Sequence, residues 1–300
     1  MPPAWRRLAP GHVARVCTFD VVTGERRVVH ETSEAVVEAP NWSPDGRHLY
    51  VNREGLIYRL AAEASGDGAG EVVATGHVRE ANNDHVLSPD GRYIYLSNGD
   101  GHLYEVPLGG GEPRRVSNNH PEPFRYFLHG ISPDGRQLAY TGARQRGDDP
   151  FALLEIFTLA VAGGPDVQLT SSGRPSDGPE YSPDGEWIYF NSEMGSERAG
   201  HAQLYRVRTD GTGLQQLSSD ERVNWFPHLS PDGSRMVYLS YPPGTTGHPA
   251  DKTVLLRSMP PEGGPYRDLV ELQGGQGTFN VNSWAPDNQR FAYVEYPLPG

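Results

Sequence analysis

Apolar and polar residues alternate in short runs along most of this chain, and the runs return at a near-constant interval. His48-Leu-Tyr-Val51, Tyr93-Ile-Tyr-Leu96, Gln137-Leu-Ala-Tyr140, Trp187-Ile-Tyr-Phe190, Arg235-Met-Val-Tyr-Leu239 and Arg290-Phe-Ala-Tyr-Val294 each read as a strand buried between sheets. Ahead of five of them stands Ser-Pro-Asp-Gly, beginning at Ser43, Ser88, Ser132, Ser182 and Ser230, and ahead of the sixth stands Ala-Pro-Asp-Asn from Ala285. Proline presets φ, aspartate bonds nearby backbone and glycine takes a positive φ, so the tetrapeptide reverses a strand tightly. An apolar residue precedes every reversal: Trp42, Leu87, Ile131, Tyr181, Leu229 and Trp284. Successive copies start 45, 44, 50, 48 and 55 residues apart, the length of a four-stranded propeller blade.

Third strands follow at Leu56 to Leu60, His102 to Pro107, Leu154 to Ala160, Leu204 to Arg208 and Val254 to Met259, and glycine-rich turns lead on to outer edge strands. The last copy ends after its second strand, whereas the chain begins with two unpartnered strands, Val13 to Asp20 and Arg26 to Glu31. The pattern therefore predicts an all-β, six-bladed propeller of four-stranded antiparallel blades, one domain over residues 1–300. N-terminal strands C and D join C-terminal strands A and B in the sixth blade, and that closure removes exposed sheet edges.

Six blades use nearly the whole length, so no second domain is expected within these 300 residues. The formal net charge of −12 opposes nucleic acid and anionic membrane as partners, since both require a cationic face. Cys17 is the only cysteine, so no intramolecular disulfide is expected. No signal-like apolar core follows Met1-Pro-Pro-Ala-Trp-Arg-Arg-Leu, and a cytoplasmic location is expected, or a periplasmic one if a leader was removed. Gly66-Asp-Gly-Ala-Gly70 reads as a loose linker, and Asn41-Trp-Ser43 is no glycosylation site because its serine belongs to the reversal.

What the copies share is scaffold, so function is sought where they differ. The reversals mark one face, and the D-to-A and B-to-C connections mark the other. Polar departures collect at that second face around the axis and suggest a pocket for a small polar ligand or a peptide. His129, Glu180, His228 and Asp177 are candidate catalytic groups, since carboxylates and imidazoles facing one pocket can move protons. Asp84, Arg144, Asn191, Glu193, Asn224, Trp225, His248, Lys252, Gln276 and Asn282 are candidate ligand contacts. His85, His129 and His228, on separate blades, are candidate ligands for one divalent metal ion, against the plainer reading that each bonds a neighbouring carbonyl. Phe226 reads as core packing rather than as a ligand contact.

The repeated Pro-x-Trp/Tyr-Ser-Pro-Asp-Gly with its Tyr- or Phe-ended strand resembles the TolB-like, or WD-repeat-like, propellers across essentially the whole chain. Asn82-Asn-Asp-His85, Asp177-Gly-Pro-Glu-Tyr-Ser182 and Asn224-Trp-Phe-Pro-His-Leu-Ser230 resemble the blade signatures of short single-propeller bacterial members. The chain as read is expected to depart from TolB itself in two ways, without the signal sequence and without the α/β domain before the propeller. More distantly the chain resembles oligogalacturonate lyase, which implies carbohydrate as a ligand and a metal held by histidines and a glutamine. That family's Gln-x-x-His-x-His run has no match in Glu221-Arg-Val-Asn-Trp-Phe-Pro-His228, which offers one histidine. Two functions follow as expectations: carbohydrate binding with metal-assisted hydrolysis or elimination, or a rigid platform that binds a peptide or protein at the same mouth without catalysis.

Overall fold

The computed structural model describes residues 5–63 and 70–298; most of the Gly66–Gly70 linker lies outside the described residues. Five complete blades run A to D from axis to rim. Their innermost strands are Glu38–Trp42, Ala81–Leu87, Phe124–Ile131, Ser176–Tyr181 and Val223–Leu229, each antiparallel to the strand that follows its reversal. In the sixth, Arg290–Glu295 pairs with Ala14–Asp20, and that strand pairs with Arg26–Thr32, so the two ends of the chain close the ring. The innermost position of this blade is an irregular segment. It is tied to Arg290–Glu295 by the Trp284–Phe291 bridge and by bonds from the Ala292 and Val294 amides to the Ser283 and Thr278 carbonyls.

The reversal owes its uniformity to one hydrogen-bond pattern. In each Ser-Pro-Asp-Gly the serine hydroxyl donates to Asp Oδ1 at 2.5–2.6 Å, and the glycine amide closes the turn on the serine carbonyl. Glycine then takes φ of 67 to 74°, which returns the chain into strand B. Asn288 does this at φ 62° in the degenerate copy, because asparagine tolerates the left-handed region better than most side chains.

All five regular A strands lose register with strand B partway along. The breaks fall between Glu38 and Asn41, Ala81 and His85, Leu128 and Gly130, Asp177 and Glu180, and Trp225 and His228. Such bulges re-aim side chains, here toward the axis. Three of the bulged residues precede a proline and have positive φ: Ala39 at 51°, Gly178 at 65° and Phe226 at 54°. For alanine and phenylalanine this is a costly conformation, held by the surrounding sheet. Apolar clusters fill the spaces between adjacent blades, for example Leu49, Val51, Ala292 and Val294 between the first and the sixth.

Candidate functional site at the upper mouth of the axis

The axial channel holds two cavities of nearly equal size. One, about 370 Å³, lies among the reversals and is lined by Pro44, Pro89, Pro133, Pro183 and Pro231. The other, about 380 Å³, lies at the opposite mouth. Its polar wall is Asn82, Asn83, Asp84, His129, Thr141, Asp177, His248, Gln276 and Asn280, and its apolar wall is Phe127, Phe151, Leu154 and Phe226. His129 lines both cavities and separates them.

His129 is the centre of the upper site. Its Nδ1–H donates to the Asn280 carbonyl at 3.0 Å, while Nε2 stands 3.3 Å from Asp177 Oδ1 and 3.9 Å from Asp84 Oδ1. Burial alone would lower its pKa, but the two carboxylates outweigh that and raise it to about 9. The ring is therefore an imidazolium at neutral pH. Burial likewise disfavours ionised Asp177, yet the bond and charge of His129, with help from Thr141 Oγ1 at 2.6 Å, hold it down to about 2. Asp84 has less support. Burial is the larger influence there and pushes it up to about 6 against the pull of His129. His248 faces Asp177 at 3.8 Å through Nε2, and burial keeps its pKa below the ordinary value. Its Nδ1 contacts Gln276 Oε1, and its ring packs on Trp225 and Phe226.

Gln276 is held in a tight loop. The Gly277 amide donates to Asn280 Oδ1, the Thr278 hydroxyl accepts from the Gly275 amide, and Arg6 donates to the Gln276 carbonyl at 2.6 Å. Gly275 has φ of 110°, and a Cβ there would meet the Pro249 carbonyl, so the loop has no room for another residue type.

The expected site residues thus divide. Asp84, His129, Asp177, His248 and Gln276 come together at the upper mouth. Glu180 and Asn282 line the lower cavity instead, where Asn282 Nδ2 donates to Glu180 Oε1 at 2.6 Å. His228 is fully buried between Glu180 and the Phe279 carbonyl, with both ring nitrogens engaged. The reason is the Gly178–Pro179 bulge, which sends Asp177 and Glu180 of one strand to opposite mouths.

The other contacts expected at the mouth are committed elsewhere. Arg144 lies over the Phe124 and Phe157 rings, Asn191 accepts from the Phe226 amide, and Glu193 accepts from the Gly200 amide. Asn224 belongs to a buried network with Gln203, Ser218 and Ser240, and Lys252 starts an exposed strand end. Trp225 is buried behind the wall and supports it through Phe226 and His248.

His85, His129 and His228 do not converge. His85 is fully buried, its Nε2 3.4 Å from the Tyr50 carbonyl, and burial lowers its pKa to about 4. Its counterpart in the next blade, His129, is the bulged residue of its strand, whereas in the second blade the bulge falls on Asn82–Asp84. Among the described residues no three His, Cys, Asp or Glu are grouped to hold a metal ion. These residues therefore do not fit the metal set expected from the sequence.

Sequence reasoning read Phe226 as core and passed over Phe127, Phe151 and Leu154 in the apolar wall. Phe151 and Leu154 sit on an extended hairpin, Gln137–Arg146 and Asp149–Ala160, whose strands outreach those of the neighbouring blades. The signal was present in the 50-residue spacing after Ser132, against 44 and 45 before it. Phe226 lines the cavity although it is inaccessible to bulk solvent.

The family described as the TolB beta propeller domain matches residues 130–250. An uncharacterized protein of Agrobacterium fabrum is 41% identical over 282 residues, 93% of this chain and 90% of that one. A solved structure from Agrobacterium tumefaciens, provisionally assigned to TolB, is 39% identical with a TM-score of 0.86, covering 96% of this chain and 99% of that one. An oligogalacturonate lyase in complex with manganese superposes with a TM-score of 0.58 at 16% identity, over 89% of this chain and 75% of the lyase, a likeness of fold alone.

Proposed function

We propose, for a chain that belongs to the TolB-like β-propeller family, that the upper axial cavity binds a small polar ligand with one apolar face, a carbohydrate. The observation that carries this reading is the two-sided lining. Hydrogen-bonding groups from five blades face an apolar wall on which half-exposed Phe151 can cover a sugar ring. A cavity of about 380 Å³ suits one or two sugar units.

A bond-cleaving form of the same reading has a specific basis. Asp84 and Asp177 flank one imidazolium, and their environments push their acidities apart, as a proton donor and an ionised partner require. The acid would be Asp84, and Asp177 with His129 would stabilise developing charge. A platform for a peptide draws on the exposed tip of the long hairpin, and it competes for the same mouth.

Calorimetry and thermal-shift titration with neutral, acidic and amino monosaccharides and disaccharides test the reading. Micromolar to millimolar binding to one sugar class, lost in Phe151→Ala, supports it. Binding unaffected by Phe151→Ala, or no sugar binding beside tight peptide binding, overturns it. Reducing-sugar release that disappears in Asp84→Asn, with binding retained, would establish the cleaving form.

A further inference from the structure

Among the described residues, the lining of the upper cavity has two carboxylates and no arginine or lysine. Its one charged base, His129, is already committed on both nitrogens, and His248 is uncharged. The surroundings do not reverse the balance. Arg6, which reaches the Gln276 carbonyl, is paired with Glu38 and Asp251; Arg144 is stacked outside the lining, and Lys252 is exposed beyond it. One imidazolium against Asp84 and Asp177 leaves the cavity net negative.

Two polar groups in the wall, Asp84 Oδ1 and the Asn83 side-chain amide, have no hydrogen-bond partner among the described residues, although each residue is 5% exposed. Asp84 Oδ2 accepts from Asn82 Nδ2 at 2.7 Å, but Oδ1 has only His129 Nε2, at 3.9 Å. The Asn83 side chain makes no hydrogen bond to any described residue, and it faces the same cavity. Polar groups this far from bulk solvent are seldom left without a bound partner, water or ligand. The two are chain neighbours on the bulged part of Ala81–Leu87, so they present a carboxylate oxygen and an amide side by side.

We propose that the ligand carries a protonated amine on a compact ring, the amine donating to Asp84 Oδ1 and to the Asn83 side chain and the ring lying against Phe127 and Phe151. This rests on the carbohydrate reading for its identity: within that reading the class is an unacetylated amino sugar. Uronates are disfavoured by the same charge balance, since the imidazolium of His129 is already engaged by the Asn280 carbonyl and the two aspartates. Asp84 then acts as an ionised anchor and not as a proton donor, which favours a binding site over a hydrolase.

The test is calorimetry at pH 7 with glucosamine, glucose, N-acetylglucosamine, galacturonate and 2-phenylethylamine. Glucosamine is expected to bind about tenfold or more tightly than glucose or N-acetylglucosamine, and galacturonate most weakly. Asp84→Asn should erase that preference, and Asn83→Ala, at a site with no internal bond to lose, should reduce it while melting stays unchanged. Glucose or galacturonate binding as tightly as glucosamine overturns the amine and leaves the sugar reading intact. Phenylethylamine matching glucosamine supports the amine and overturns the sugar. No binding by any of the five overturns both.

Discussion

The two mouths of the axial channel enclose almost the same volume and have opposite origins. The lower cavity is rimmed by the reversal prolines of five blades, Pro44, Pro89, Pro133, Pro183 and Pro231, with Asn41, His129, Glu180 and Asn282 at its inner end. The upper one is walled by residues that differ from blade to blade: Asn83 and Asp84 in the second, His129 in the third, Asp177 in the fourth, Phe226 and His248 in the fifth. Side chains required by the repeat are quasi-equivalent, and at the lower mouth they give a ring of like prolines. Side chains free of that requirement give an asymmetric constellation, and asymmetry is what distinguishes one small ligand from another.

His129 belongs to both mouths, so its removal should have the largest effect. His129→Ala leaves Asp84 and Asp177 buried without their cation and is expected to cost about 3–5 kcal/mol, read by denaturant unfolding. An undiminished midpoint would mean that the carboxylates do not depend on the ring. Gly275→Ala acts on the upper mouth alone, by forcing a Cβ against the Pro249 carbonyl at a positive φ. A cost of about 1–3 kcal/mol is expected, with loss of ligand affinity as Gln276 shifts.

Alkali should separate the mouths without mutation. His129 has a folded pKa of about 9 against an ordinary 6.5, so its stabilising charge is fully present below pH 6.5 and is lost as pH rises through about 9. Melting temperature should fall across that window, and His129→Gln should remove that part of the fall. Imidazole ¹⁵N signals of His129 should stay those of the doubly protonated ring to about pH 9. The smallest effects come from a matched pair at the two openings. Phe151→Ala should change stability by less than about 0.5 kcal/mol while weakening ligand binding. Pro133→Ala should cost up to about 1 kcal/mol while leaving binding untouched.

How much of this was legible in the chain follows from the same contrast. Ser-Pro-Asp-Gly gives one backbone path, so the blades, their order and the N-terminal closure could be read from composition and spacing. Asp84, His129, Asp177, His248 and Gln276 could also be found, because polar side chains stood where the repeat did not need them. Counting back from the reversal failed at Glu180 and His85, since the bulges break the two-residue alternation at different places in different strands, and at Asn282, which lies in the irregular inner segment of the sixth blade. Arg144, Asn191, Glu193, Asn224 and Lys252 looked available for a ligand, and the partners that four of them hold come from contacts that spacing does not encode. The apolar wall stayed hidden for a related reason. Phe127, Phe151 and Phe226 resemble core residues until the long hairpin and the positive φ of Phe226 place them against the cavity.

Co-crystallisation with glucosamine puts the central claim to its most direct test, because it shows which mouth is used and by which atoms. The expected result is one sugar at the upper mouth, its amine against Asp84 Oδ1 and Asn83 and its ring against Phe151. A sugar seated among Pro44, Pro89 and Pro133 at the lower mouth, or an upper cavity left empty by a ligand that calorimetry shows to bind, would contradict it.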